Sequence, residues 1–278
     1  MKSKFDKGTI IGFVVAIVAL LGSVLIEGGS PLSYVNLSAG LIVFGGSIGI
    51  VLISYPLSTA LKLPKVFRQA LREPPDMTAD VIRETVRLAE RARKEGLLAL
   101  EQEAQSLTDP LLHKGVMLVV DGTDPEVVKA ILEVEIATRE ARHETGIAMF
   151  EALGGFAPTL GILGTVMGLI RILSHIGSAN EMAASIAVAF TATLYGVGSA
   201  NLFWLPIANR LKRRTAQEME LAALVIDGVM AIQAGDNPRI VQEKLSGYAT
   251  PTSGKKAKAA TADADAGATA GAPARAGA

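Results

Sequence analysis

Three threonines, two prolines and three charged residues are the groups whose types and spacing could do work in this chain. Thr165 lies in the apolar stretch FEALGGFAPTLGILGTVMGLIRILSHIG, and Thr191 and Thr193 lie in the next one, MAASIAVAFTATLYGVGSANLFWLPIANRLKRR. A hydroxyl inside such a segment can solvate a cation or hold a water wire, or it can bond back to a carbonyl of its own helix. Spacing alone leaves both open. Each stretch also carries one proline, Pro158 and Pro206. A proline within a span frees a carbonyl and permits a bend, which serves either as a hinge or as a static kink. Thr165 lies seven residues beyond Pro158, about two helical turns, so the two share a similar face. Arg93 and Lys94 precede Glu101 by eight and seven residues. On one helical stretch that spacing displays both signs together, either as a docking surface for a charged partner or as a solvated face with local ion pairs.

The missing residue types narrow the chemistry. There are no cysteines, and the three histidines, His113, His143 and His175, stand far apart. Disulfides, thiolate sites and histidine metal clusters are not expected. No nucleophile–base pair or phosphate loop is present, so the expectation is no enzyme and no cofactor. Gly161 to Gly168 is glycine-rich but lies inside an apolar span, not between a strand and a helix. The apolar spans hold no Asp, Glu, Lys or His at mid-depth. An ion carrier usually needs an ionisable group there. Either the chain conducts nothing, or a partner helix brings the carboxylate.

The elements that must position these residues are spans. Of 278 residues, 50% are apolar and the net charge is zero. The apolar residues are clustered, which predicts an integral membrane protein and gives no reason to expect nucleic-acid binding. The fold class expected is all-α, with four transmembrane helices and a helical cytoplasmic domain between the second and third. A short basic N-terminus (1–7) precedes the first span (8–26), retained as an anchor and not cleaved as a signal. A turn at Glu27 to Pro31 leads into the second span (35–55), where Gly45 and Gly49 share a face open to a neighbouring helix. Residues 56–148 are polar and amphipathic. Asp109-Pro110 and Asp124-Pro125 read as helix starts, a capping aspartate followed by proline. The helix from Pro125 meets no stop before Gly146, so it runs on into the third span (149–174). The fourth span (184–207) is followed by Arg210, Lys212, Arg213 and Arg214 and by further helices (208–248). An Ala/Gly-rich tail (249–278) lacks large apolar residues and reads as disordered. Lys and Arg concentrate at both ends and in the middle segment, which places these in the cytoplasm. Arg171 lies close enough to the outer end of the third span to snorkel to the headgroups.

Several long blocks, taken in order, resemble one family. ARKEGLLALE (Ala92 to Glu101), KGVMLVVDGTDPEVV (Lys114 to Val128), APTLGILGTVMGLI (Ala157 to Ile170) and ATLYGVGSANLFWLPIANRL (Ala192 to Leu211) are similar to the A-subunit of the bacterial flagellar stator, the MotA/PomA family. The resemblance runs from about Gly8 to Tyr248. It implies an inner-membrane, ring-forming homo-pentamer around two MotB/PomB-type B-subunits, which anchor to peptidoglycan and bring the ion-carrying aspartate. It implies torque on the rotor protein FliG, with Arg93, Lys94 and Glu101 at the rotor-facing positions and Pro158 and Pro206 at the torque-linked prolines. Thr165 and Thr193 match hydroxyls lining the ion path of sodium-type members. Those members carry two adjacent threonines before Leu-Tyr-Gly. Here the pair is Ala192-Thr193, with Thr191 one residue away, which favours H+ over Na+ as the translocated ion. Two alternatives remain: an energising subunit of the ExbB/TolQ type, against which the first hairpin argues, and a passive scaffold that packs a partner's helix among membrane lipid.

Overall fold

The computed structural model describes residues 4–73, 76–174 and 179–248, and these are almost wholly helical. His175 and the tail 249–278 lie outside the described residues. A two-residue strand, β1 (Lys4–Phe5), precedes α1 (Lys7–Ile26). Asp6 caps α1: its carboxylate accepts from the Gly8 N–H at 2.8 Å and the Thr9 hydroxyl at 2.8 Å. This satisfies donors that the first turn cannot satisfy internally. The side chains of α1 stay largely exposed, with Ile11 at 61% and Val18 at 61%. An apolar helix bare on this scale belongs in lipid.

The second span starts later than residue 35. Pro31–Tyr34 form a 3-10 turn, and Asn36 caps α2 (Leu37–Gly40) by accepting from the Ala39 N–H at 3.0 Å. A π-helical turn, Leu41–Gly45, then leads into α3 (Gly46–Ser54). This turn corrects the expected glycine face. A π turn carries an extra residue and rotates the helix beyond it. It is Gly46 that meets the third span: a Cβ there would stand 3.0 Å from Leu160 Cδ1. Gly49 faces open space, and Gly45 faces only its own Leu41.

After Pro56 come α4 (Leu57–Ala60), α5 (Leu63–Ala70) and β2 (Arg72–Glu73), which pairs antiparallel with β1. Next are α6 (Thr78–Glu95), α7 (Leu100–Ala104) and α8 (Pro110–Val120). The 50-residue α9 (Pro125–Ser174) runs unbroken into the third span. The fourth span is α10 (Ala179–Ser199), a second π turn at Ala200–Trp204, and α11 (Leu205–Gln233). No stop separates that span from the helix after it. Last is α12 (Pro238–Ser246), capped by Asn237. Among the described residues, four helical segments are long and apolar enough to cross a membrane: Lys7–Ile26, Leu37–Ser54, and parts of Pro125–Ser174 and Ser185–Gln233.

The chain divides into two compact units, and the division differs from the linear one. One unit holds Met1–Pro74 and Ala141–Arg214; the other holds Pro75–Glu140 and Thr215–Ala278. The helical domain therefore begins near residue 75, not 56. The reason is packing. Ala60 and Ala70 join Phe150, Leu153 and Ile207 in the core of the first unit. The second unit needs the end of α11 and α12 to close its core, where Leu88, Leu112, Leu132, Val225, Val229 and Leu245 are all fully buried. Burial of each such side chain contributes about 1.5–3 kcal/mol. Gly115 admits Val229 into this core, since a Cβ at 115 would stand 2.6 Å from Val229 Cγ2.

Candidate functional site

Small residues draw the third and fourth spans together until their backbones touch. A Cβ on Gly161 would stand 2.9 Å from the Ala192 carbonyl oxygen, and one on Gly196 would stand 2.5 Å from that of Ala157. Gly164 and Gly168 seat the methyls of Ala192 and Ala189 at 2.7 and 2.6 Å from the position a Cβ would take. Side chains here would push the helices apart, so the glycines set the separation.

That closeness places Thr165 against Thr193. Their hydroxyls share a short hydrogen bond across the seam. The Thr165 Oγ1 is also 3.1 Å from the Gly161 carbonyl of its own helix and 3.1 Å from the Ala189 carbonyl of the other. Thr193 Oγ1 reaches the same Gly161 carbonyl at 3.4 Å. Two hydroxyls and two carbonyls thus gather in one half-buried place with no carboxylate among them. Oxygen dipoles of this kind solvate a monovalent cation or a water chain. Thr191 stands apart. It is buried, and its hydroxyl donates to the Ala187 carbonyl of its own helix at 2.8 Å. Its two-residue offset from Thr193 turns it to a different face. Ala192, where sodium-type members carry a second threonine, is buried with its methyl against Gly164. A cavity of about 340 Å³ lies beside the seam, lined by Ser38, Gly164, Gly168, Arg171, Ser185 and Ala192 among others.

The two prolines lie at the same level of the unit, where Gly154 meets Leu205. Pro158 sits inside α9 and has no N–H to give the Gly154 carbonyl. Pro206 likewise leaves the Leu202 carbonyl without its donor, and the π turn lies directly upstream, with the Leu205 N–H donating to the Ala200 carbonyl five residues back. Trp204 in that turn and Ser47 on α3 each bury a polar atom with no hydrogen-bond partner.

In the second unit, Arg93, Lys94 and Glu101 are all exposed, but they do not share one helical stretch. Gly96 ends α6 at φ 86°, a left-handed conformation that glycine adopts without strain. The chain then turns back, and Glu103 on α7 clamps Arg91 at 2.6 Å and Arg87 at 2.9 Å. The three exposed charges therefore bracket a reversed corner, presented from two helices.

Sequence reasoning missed two anchoring residues. Tyr195 donates its hydroxyl to the Tyr34 carbonyl at 2.5 Å and accepts from the Asn36 N–H at 3.0 Å, tying the fourth span to the first hairpin's connection. Asp6 pairs with Arg210, whose Nε also donates to the Ala70 carbonyl at 2.6 Å. The Asp6 carboxyl is held below its ordinary value by the Thr9 hydroxyl first, then by the Gly8 N–H and Arg210. Both anchors join positions more than a hundred residues apart, and only an Asp-x-x-Thr cap before α1 hinted at one of them.

Comparison with known proteins decides what this arrangement belongs to. The chain is 38% identical to motility protein A of Bacillus subtilis (strain 168) over 244 residues, covering 87% of this chain and 90% of that one. It is 37% identical to the chemotaxis protein PomA of Vibrio alginolyticus over 250 residues, covering 90% and 95%. The chain belongs to the MotA/PomA family of flagellar stator A-subunits. Residues 103–223 match the broader MotA/TolQ/ExbB proton channel family. The fold agrees with the MotA/PomA assignment: the structure of the flagellar MotAB stator complex from Bacillus subtilis superposes with a TM-score of 0.83 at 37% identity, covering 90% of this chain and 99% of that one. Because the likeness to MotA/PomA proteins spans the first hairpin as well as the channel segment, it favours the stator A-subunit over the ExbB/TolQ alternative.

Proposed function

We propose that this chain is the torque-generating A-subunit of a proton-driven flagellar stator. The observation that carries this is the Thr165–Thr193 pair in a close, carboxylate-free seam between the third and fourth spans. Such a seam can pass a proton to and from a carboxylate but cannot hold one. It needs a partner, and the MotAB complex that this fold matches has a second subunit. A B-subunit span of the MotB/PomB type would bring the aspartate, with five A-subunits around two B-subunits in the inner membrane and both termini of this chain in the cytoplasm. One charge crossing 100 mV releases about 2.3 kcal/mol, whichever ion carries it. The buried methyl of Ala192, in place of a second hydroxyl, favours H+ over Na+. Arg93, Lys94 and Glu101, exposed at the Gly96 corner, would engage FliG electrostatically.

The test is the swimming speed of stator-deleted cells carrying this chain and its B-subunit, with sodium varied at fixed pH and a protonophore then added. Speed that ignores sodium and collapses with the protonophore is expected. Speed that rises with sodium would transfer the role to cation coordination at Thr165 and Thr193. A complex present in the membrane without motility would leave the passive scaffold as the better description.

A further inference from the structure

A cavity of about 450 Å³ opens where α1, α5 and the start of α11 meet, and its two ends differ in chemistry. One end is charged: Asp6, Arg210 and Arg213. The other is apolar: Gly12, Phe13 and Ala16 of the first span, with Leu202 and Ile207. Asp6 and Arg210 neutralise each other. Arg213 is exposed, lines the same cavity and has no carboxylate partner among the described residues. The charged end therefore carries one uncompensated positive charge. It sits beside the first residue of an apolar span, the depth at which headgroups meet acyl chains. Lys212 and Arg214 do not line the cavity, and Lys212 is paired with Glu151.

We propose that this cavity is a binding site for one anionic phospholipid, with its phosphate on the Arg213 guanidinium and an acyl chain along Gly12 and Ala16. A guanidinium takes a phosphate through two parallel N–H donors. The apolar end offers room for a chain: a Cβ built on Gly12 meets nothing within 4 Å. The proposal rests on α1 crossing a membrane and is independent of which ion the stator uses. Such a lipid would bridge the first span to the fourth, whose only ring contact with α1 is Phe13 against Phe203 at 5.7 Å among the described residues.

The experiment is native mass spectrometry of the full chain with its B-subunit, released from detergent after incubation with phosphatidylglycerol, phosphatidylcholine or inorganic phosphate. Phosphatidylglycerol should be retained in preference to phosphatidylcholine. Arg213→Gln should lower that retention about tenfold, the loss expected for a charge-assisted pair, while Lys129→Gln, an exposed cation of α9 that pairs with Glu133 and does not line the cavity, leaves it unchanged. Gly12→Leu, which fills the apolar end without touching the charge, should also lower it. Equal retention of both lipids, or retention unaffected by Arg213→Gln, would overturn the proposal. So would displacement by inorganic phosphate with no effect of Gly12→Leu, which would mean a free-anion site. Lipid retained by the monomer but absent from the assembled ring would mean that a second copy fills the cavity, and would overturn it as well.

Discussion

Gly154 on α9 and Leu205 on α11 touch at the level where both spans lose a backbone hydrogen bond. Gly154 is the residue whose carbonyl Pro158 leaves unserved, and Leu205 is the residue just before Pro206. A Cβ on Gly154 would stand 2.6 Å from Leu205 Cδ2. The two weak points of the helices are thus packed against each other.

Gly154→Ala should therefore force Leu205 aside and cost about 1–3 kcal/mol, the usual range for an overpacked site. Leu205→Ala should restore part of the loss when combined with it. Thermal unfolding of the full chain in detergent, read as a double-mutant cycle, gives the coupling. Additive effects would mean that the contact carries none.

The threonines separate by partner. Thr165→Val and Thr193→Val each remove one half of a shared hydrogen bond. Each should slow swimming several-fold, with the double variant little worse than the slower single. Thr191→Val removes a hydroxyl bonded, among the described residues, only to the Ala187 carbonyl and should leave speed near that of the parent. Equal losses at all three positions would contradict the geometry.

Glu84 supplies a pH prediction in the second unit. Burial raises its carboxyl above the ordinary value of 4.5, the charges of Asp80 and Asp109 add to this, and Arg87 and Arg83 oppose it. The folded unit thus holds the proton to higher pH than the unfolded chain does. Its contribution is lost as pH rises through the folded value. Glu84→Gln should raise the unfolding midpoint at pH 7 and leave it unchanged below about pH 3.5, where both states are protonated. A midpoint difference that persists at low pH would assign the effect to packing.

Glu103 holds the corner that presents Arg93, Lys94 and Glu101. Its two partners, Arg87 and Arg91, are about half and a third exposed, so screening limits the pairs to about 0.5–1 kcal/mol together. Glu103→Gln should lower stability by that amount, less in high salt. It should also slow swimming by more than the stability change explains, because the corner loosens. Intact motility with reduced stability would mean that the corner's geometry does not matter to the rotor.

Composition and local pattern were enough for the spans, the helix starts and the family. Four apolar runs, the caps Asp109 and Asp124, and the uninterrupted pattern from Pro125 are local properties, and local hydrogen bonds and hydrophobicity decide them. Tertiary structure decided the rest. The π turn at Leu41–Gly45 exchanged Gly49 for Gly46 at the helix contact, because backbone phase depends on how two helices pack and not on residue type. Whether Thr191 or Thr193 meets Thr165 depends on how α10 packs against α9. The division of the chain at Pro75 and Thr215 reflects which apolar faces find each other across long separations. The ties of Asp6 to Arg210 and of Tyr195 to Tyr34 join residues whose distance in sequence carries no signal; closing the fold is what brings them together.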